Sequence, residues 1–464
     1  MGLRPAVRSA AAGCVTRSDV LKFGTDGVRG VANLDLTNEA VTALGRAAAR
    51  VLGGDRFVVG RDTRRSGGRL EASLVEGLVA EGMVVRDLAV APTPAVAWVA
   101  AAEGIPGAVV SASHNSFEDN GVKLFAAGGL KLGREVEVAV EAEFHRLLRA
   151  DPATVVISAA APGSVGPGMG DVARWAASVA ASIDGRSLEG LRVVVDCANG
   201  SASGIGPEVL RSLGAEVEVL HADPDGTNIN ADCGSTYPRE LQRVVVQRGA
   251  HAGIAFDGDA DRVLAVDAAG RVIDGDQIIA MCAVDRRVRA CLPRDTVVVT
   301  VMTNLGFRLG MADHGVTVLQ VPVGDRHVLE AMAEGGYTLG GEQSGHVIFS
   351  DLATTGDGLL TAVQLLDVVA RAGRPLAELA DAAMTRLPQV LRNVSVSVAG
   401  PDAIAALEAE IAAVEAELGE HGRVLIRASG TEPVVRVMVE AATAAQAERA
   451  AEHLAGLVAD LPPR

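Results

Sequence analysis

Between Phe256 and Val263 the chain reads Phe-Asp-Gly-Asp-Ala-Asp-Arg-Val, so Asp257, Asp259 and Asp261 set carboxylates at alternate positions with small residues between them. Folding alone has no use for such a cluster. Like charges repel, and beside an apolar strand they are costly unless something positive joins them. A divalent cation meets that need. Hard oxygen donors with no Cys or His nearby favour Mg²⁺, with Mn²⁺ and Ca²⁺ as alternatives. An EF-hand loop shares the Asp-x-Asp-x-Asp opening but requires Gly at its sixth position and Glu at its twelfth, where this chain has Arg262 and Ala268. Two other readings stay open. One is an aspartyl-phosphate phosphatase with Asp257 as nucleophile. The other is a solvated acidic turn, against which the flanking apolar runs, Gly253 to Phe256 and Val263 to Val266, argue.

Four further segments carry reactive or anion-binding side chains. Val109 to Asn115 reads Val-Val-Ser-Ala-Ser-His-Asn, an apolar run that enters a polar loop, with Asp119, Asn120, Gly121 and Lys123 beyond it. Strand-end loops of open α/β sheets are where ligands bind, and a serine there carries phosphate if a base or metal activates it; a helix cap or turn is the plainer reading. Phe23 to Gly30 reads Phe-Gly-Thr-Asp-Gly-Val-Arg-Gly, with glycines for close backbone approach and Arg29 as a bidentate phosphate donor. Gly340 to His346 reads Gly-Gly-Glu-Gln-Ser-Gly-His, in which Glu342 and Ser344 suit neighbouring hydroxyls, or a hydroxyl and an amine, on a sugar; a polar hairpin is the alternative. Arg427 to Arg436 reads Arg-Ala-Ser-Gly-Thr-Glu-Pro-Val-Val-Arg, two arginines flanking a turn whose amides and hydroxyls suit an anion.

These loops need a scaffold, and the pattern supplies one. Short apolar runs alternate with amphipathic ones: strands at Arg56 to Gly60, Gly107 to Ser111, Leu191 to Asp196 and Thr296 to Met302, helices at Leu70 to Glu81, Pro207 to Leu213, Leu305 to His314 and Gly356 to Arg371. Alternation of this kind predicts α/β units with mostly parallel sheets. A strand at Tyr337 to Leu339 is expected to lead into the Glu342 loop. Pro152 to Gly170, rich in Ala, Gly, Pro and Ser, reads as a linker. Further boundaries are expected near Asp267 to Gly275 and at Leu387 to Pro388. Past the last, strands at Val394 to Val398, Arg423 to Arg427 and Val434 to Glu440 and helices at Ile404 to Leu418 and Ala444 to Leu457 predict a small α+β tail.

The 464 residues suffice for about three or four domains. A net charge of -16 with no dense Lys/Arg block argues against nucleic acid and anionic membrane surfaces as partners, while leaving room for a locally basic cleft. The five cysteines are scattered and form no CxxC pair, which suits a reducing cytoplasm. No apolar run reaches the roughly 18 residues of a membrane span. Residues 1–20 hold Arg4, Arg8 and Arg17 and no acid before Asp19, a composition shared by transit peptides and disordered tails; a disordered extension is the expectation.

Taken in order, the Gly-Thr-Asp-Gly-Val-Arg-Gly start, the serine loop, the aspartate loop, the Glu342 loop and the Arg-flanked loop resemble the α-D-phosphohexomutase superfamily, from Leu21 to the C-terminus. The resemblance implies three successive α/β domains with mixed sheets plus a C-terminal α+β domain around a central cleft, at 21–165, 166–272, 273–387 and 388–464. It implies that Ser113 carries a phosphoryl group, that Asp257, Asp259 and Asp261 hold Mg²⁺ with it, and that Arg29, His114, Lys123 and Arg262 line the reacting centre. Glu342 and Ser344 would contact sugar hydroxyls, with His327 nearby, and Arg427, Ser429, Gly430, Thr431 and Arg436 would grip the far phosphate. The implied reaction interconverts glucosamine 6-phosphate and glucosamine 1-phosphate through a phosphoserine and a 1,6-bisphosphate, with glucosamine or glucose 1,6-bisphosphate as activator, in a cytoplasmic monomer or homodimer that feeds amino-sugar and cell-wall precursor synthesis. Gln343, where relatives acting on mannose or glucose phosphates usually have Met, favours the amino sugar; those relatives, a phosphatase and a sugar-phosphate sensor are the alternatives. Three departures stand out: Ser116 where proline is common, Ala260 where glycine is commonest, and His327 where tyrosine is usual.

Overall fold

A computed structural model describes residues 21, 23–24, 27–150, 161–395, 407–428 and 434–460. Three α/β units are followed by a smaller α+β unit. The first sheet has seven strands, in the order Phe23–Gly24, Gly27–Val31, Asp119–Phe125, Gly107–Val110, Arg56–Arg61, Val84–Val90 and Ser164–Pro167. The second has five, ordered Val272–Ile273, Val263–Asp267, Ala252–Phe256, Arg192–Asp196 and Glu216–Leu220. The third has four, ordered Thr317–Val321, Thr296–Thr300, Leu339–Gly341 and Val347–Phe349. In the last, Val434–Glu440 lies between Gln389–Ser395 and Arg423–Ala428, all antiparallel.

The central strands follow from their residues. Thr-Val-Val-Val-Thr at Thr296–Thr300 is β-branched throughout and wholly buried, and pairs in parallel with Thr317–Val321 and Leu339–Gly341. Such runs are buried on both faces by crossover helices, so they lack alternation. The helix Gly358–Ala372 starts where Asp357 Oδ1 accepts from Leu360 N at 2.9 Å and stops at Gly373, whose φ of 60° is left-handed.

The sheets are mixed rather than mostly parallel. The reason bears on function: each candidate loop is the tip of an antiparallel hairpin. Gly107–Val110 returns as Asp119–Phe125, Ala252–Phe256 as Val263–Asp267, Leu339–Gly341 as Val347–Phe349, and Arg423–Ala428 as Val434–Glu440. A short polar loop closes an antiparallel pair without a crossover helix, a distinction that apolar runs do not record. Two further expectations need correction. Ser164–Pro167 lies inside the stretch read as a linker, and the boundary drawn at 165 cuts it; it is an edge strand in parallel register with Val84–Asp87. Its Ser, Gly and Pro are tolerated because an edge strand bonds on one side only. The strand expected at Tyr337 to Leu339 instead runs Leu339–Gly341, into the glycines of its loop. Residues 1–20, 396–398 of the expected tail strand and 404–406 of the expected tail helix lie outside the described residues.

The second and third units share one continuous apolar core, from Trp175 and Val195 through Ile279 to Leu366. The first unit packs around Leu44, Phe57, Leu74 and Phe144, and the last around Val437, Val439 and Leu454. Polar contacts tie the last unit to the third. Buried Glu440 accepts from Leu305 N at 3.1 Å and pairs with Arg423 at 2.8 Å, while Arg423 Nη2 donates to Thr303 O at 3.0 Å.

Candidate active site

The serine loop begins where the buried strand Gly107–Val110 ends. Ser111 Oγ donates to Asp62 Oδ2 at 2.7 Å and accepts from Ser113 N at 2.9 Å. Ser113 adopts φ 53°, a left-handed conformation that costs a non-glycine residue roughly 1–2 kcal/mol. That turn aims its hydroxyl away from its own unit: Ser113 Oγ donates to Asp257 Oδ2 at 2.6 Å, and both side chains are fully buried.

Asp257, Asp259 and Asp261 sit on the hairpin closed by the Phe256–Val263 pair. Asp257 Oδ1 accepts from Arg262 N at 3.1 Å. Ala260 takes φ 57°, so the strain that its side chain makes possible is present, held by Ala260 N donating to Asp257 O at 3.1 Å and Gly358 N donating to Ala260 O at 3.0 Å. The first unit reaches across to this loop: Thr93 Oγ1 donates to Asp259 Oδ2 at 2.6 Å, and Lys123 Nζ bridges Asp259 Oδ2 at 2.6 Å and Asp261 Oδ2 at 2.8 Å. Gly27, at φ 81°, lies against the Lys123 strand, where an added Cβ would stand 2.1 Å from Val122 O.

One oxygen from each of the three carboxylates lies within 4.8 Å of the others, and these residues can hold a metal. Lys123 does not satisfy the cluster: Asp259 Oδ1 and Asp261 Oδ1 are buried with no hydrogen-bond partner. Buried carboxylate oxygens left bare cost several kcal/mol, and a hard divalent cation is the partner this oxygen set fits. The electrostatics agree. Burial pushes the Asp257 carboxyl well above its ordinary value, Asp261 and Asp259 push it further, and Arg262 offsets part of this. Burial also acts to raise Asp261, but Lys123, His346 and Arg262 outweigh it and hold that group well below its ordinary value.

His114 lies 3.5 Å from Ser113 Oγ through Nδ1, which also lies 2.9 Å from Arg262 Nη1. A guanidinium only donates, so Nδ1 accepts, the imidazole is neutral and its proton is on Nε2. Burial, then Arg262 and Arg29, lower its pKa. Arg29 stands on Gly27–Val31 opposite Gly121 in the register. Thr25 and Asp26 of the same motif lie outside the described residues.

The third loop docks on the aspartate hairpin. Val263 N donates to Gly345 O at 3.1 Å. His346, fully buried, lies 3.9 Å from Asp261 and 3.4 Å from Asp325; those carboxylates raise its pKa against burial. Glu342 Oε1 accepts from Gly324 N at 3.2 Å and its Oε2 from Ser344 Oγ at 3.4 Å, so both expected sugar contacts share one polar cluster. Gln343 Nε2 instead lies 3.4 Å from Asp274 Oδ2, the N-cap of the helix Gly275–Val288. His327, on the helix Asp325–Gly335, is 44% exposed, with Nδ1 3.6 Å from Glu330 Oε2. In the last unit Arg427 and Arg436 face each other as cross-strand partners. Burial, then Arg436, lowers the pKa of Arg427, and like charges placed directly opposite are unfavourable without an anion between them. Ser429, Gly430 and Thr431 lie outside the described residues.

Thr93, Arg64, Asn230 and Asp325 also build this region and were not expected. The only sequence signal is a second polar run at a strand end, Arg61-Asp62-Thr63-Arg64, of the same form as the serine loop. A second ligand-like group, Asp196, His221 and Cys233, also converges. There His221 Nδ1 lies 3.1 Å from Asp196 and Nε2 3.2 Å from Glu240, Asp196 raises the imidazole pKa, and burial pushes the Cys233 thiol up to about 12. That arrangement sets an imidazole between two carboxylates beside a buried thiol.

Four family models match in sequence: phosphoglucomutase/phosphomannomutase alpha/beta/alpha domain I at 20–150, domain II at 173–270, domain III at 274–387 and the C-terminal domain at 391–457. A phosphoglucosamine mutase from Frankia casuarinae is 54% identical over 95% of this chain and 99% of its own length. The protein of that name from Acidothermus cellulolyticus is 53% identical over 98% of this chain and 99% of its own. Among solved structures, a phosphoglucomutase/phosphomannomutase family protein from Burkholderia thailandensis superposes with a TM-score of 0.79 at 27% identity, covering 96% of this chain and 97% of that one. The fold also matches Aspergillus fumigatus N-acetylphosphoglucosamine mutase in complex with GlcNAc-6P and magnesium, with a TM-score of 0.68 at 20% identity over 95% and 96% of the two chains.

Proposed function

This chain belongs to the phosphoglucomutase/phosphomannomutase family, and from that premise we propose that it catalyses the phosphoglucosamine mutase reaction, interconverting glucosamine 6-phosphate and glucosamine 1-phosphate. The observation that carries the reading is the contact of Ser113 Oγ with Asp257 inside a buried triad of carboxylates whose oxygens suit a hard divalent cation. The names of the relatives at 51–54% identity favour the amino sugar.

In this reading Ser113 carries the phosphoryl group. The bond from phosphorus to Ser113 Oγ breaks as one forms to the free sugar hydroxyl. The hydroxyl gives up its proton, and Ser113 Oγ accepts one. The 1,6-bisphosphate then turns over, and its other phosphate returns to Ser113 by the reverse step. A Mg²⁺ ion held by Asp257, Asp259, Asp261 and the Ser113 phosphate would neutralise charge on the phosphoryl group in flight. Lys123 and Arg262 add fixed positive charge at the same place. Lys123 is the candidate for proton transfer. His114, neutral and protonated on Nε2, serves first as a hydrogen-bond donor. Glu342 and Ser344 orient the sugar, Arg427 and Arg436 grip the non-reacting phosphate, and a hexose 1,6-bisphosphate primes Ser113. Each of the four units contributes to the site, the first with both the Phe23–Gly30 segment and the serine loop. No described helix is long and apolar enough to cross a membrane, and the free thiols Cys197, Cys233, Cys282 and Cys291 suit the cytoplasm.

Parallel assays on glucosamine, glucose and mannose 6-phosphates test the substrate. The highest kcat/KM is expected on glucosamine 6-phosphate; a higher value on either plain sugar would overturn the assignment.

A further inference from the structure

We propose that Arg64 and Asn230 are positioning residues that hold the serine loop in the one backbone shape that presents Ser113 to the aspartate triad; the inference rests on Ser113 being the phosphoryl carrier. Arg64 is 1% exposed, and its donors are spent on a single task. Nε donates to Asp62 Oδ2 at 2.8 Å, Nη1 to Ser116 O and to Asp119 O at 3.0 Å, and Nη2 to Ser113 O at 2.8 Å and Asn115 O at 2.9 Å. Four main-chain carbonyls of one short loop thus converge on one guanidinium, whose planar fork suits fixed, multiple acceptors.

Asn230 closes the loop from the opposite unit. Its Nδ2 donates to Ser113 O at 2.9 Å and Asn115 O at 3.0 Å, two of the carbonyls that Arg64 already holds. The chain is shaped to admit this approach: a Cβ on Gly258 would stand 2.7 Å from Ser113 O and 2.8 Å from Asn230 Nδ2. The loop contains no proline between Ser111 and Asp119, so nothing in its own covalent structure fixes its dihedrals. Ser113 nevertheless holds φ 53°. Carbonyls tied to a buried cation and an amide are not free to swing their negative ends toward a phosphoryl group on Ser113. The pair therefore acts on the alignment of Ser113, and through it on the transfer step rather than on sugar binding.

The test compares Arg64→Lys and Asn230→Ala with the wild type in the full chain. Lysine keeps the charge but loses the fork; alanine removes two donors and leaves Arg64 in place. For folded variants, kcat is expected to fall about ten- to a hundredfold, with KM for the sugar phosphate within about twofold, and priming of Ser113 by glucose 1,6-bisphosphate, followed by intact mass, is expected to slow in parallel. If Arg64→Lys does not fold, Asn230→Ala decides alone. A folded Asn230→Ala protein with wild-type kcat and priming rate overturns the proposal, provided that Ser113→Ala is inactive. Turnover by Ser113→Ala would instead overturn the phosphoserine reading beneath it.

Discussion

Ser113 Oγ and Asp257 Oδ2 lie 2.6 Å apart although 144 residues separate them in the chain. A hydroxyl on one hairpin and a carboxylate on another have no folding reason to be buried face to face. In the proposed mechanism this contact sets the phosphoryl carrier against the cation site, and the consequences can be measured.

The triad should behave as a cation site in solution. Saturating Mg²⁺ is expected to raise the unfolding temperature of the wild type, since a ligand at a hundredfold its Kd adds about 2.7 kcal/mol. In Asp259→Asn or Asp261→Asn Mn²⁺ affinity is expected to drop at least about tenfold and that rise to shrink by about half or more. A rise of equal size in both variants would place the cation elsewhere.

Arg427 faces Arg436 across the last two strands. Removing a charged donor from a phosphate contact costs about 1.5–3 kcal/mol, so Arg427→Ala is expected to raise KM for the sugar phosphate roughly ten- to a hundredfold with a smaller change in kcat. Loss of the like-charge pair should leave thermal stability unchanged or higher. Steady-state kinetics and a thermal scan check both halves, and an unaltered KM would remove Arg427 from the phosphate grip.

A pH dependence of stability resides at Glu71. Burial first, then Asp87, push its carboxyl up from 4.5 to about 7 despite the Arg61 contact at 2.9 Å. The folded state thus holds a proton that the unfolded state has lost. The contribution is fully present below about 4.5 and is lost as pH rises through about 7. Glu71→Gln is expected to flatten that part of the stability curve, leaving the difference between the two proteins largest above pH 7. Parallel wild-type and variant curves in urea from pH 4 to 8 would contradict this.

The reacting loops were legible because their residues break a pattern: three acids between apolar runs, hydroxyls at a strand end, and arginines flanking a Ser-Gly-Thr turn. The α/β alternation was legible for the same reason, since fully buried strands such as Thr296–Thr300 carry β-branched residues throughout. Pairing direction was not, because an apolar run reads alike whether its neighbour returns by a hairpin or a helix. Ser164–Pro167 was hidden by composition that edge strands tolerate. Arg64, Thr93 and Asn230 escaped notice because each sits in an ordinary-looking loop or, for Thr93, at a helix start, and acquires its role from partners 49, 166 and 117 residues away. Ala260 was half legible: its possible strain is visible from the residue type, but its φ of 57° follows only from the folded hairpin.

The most direct test follows the phosphoryl group. The purified protein would be incubated with glucose 1,6-bisphosphate, its phosphosite mapped by mass spectrometry, and turnover of the Ser113→Ala variant measured in the same preparation. The expected result is one phosphoryl group on Ser113 and a loss of turnover of roughly three orders of magnitude or more in the variant. Phosphate on Asp257 in place of Ser113, or substantial turnover by Ser113→Ala, would contradict the account.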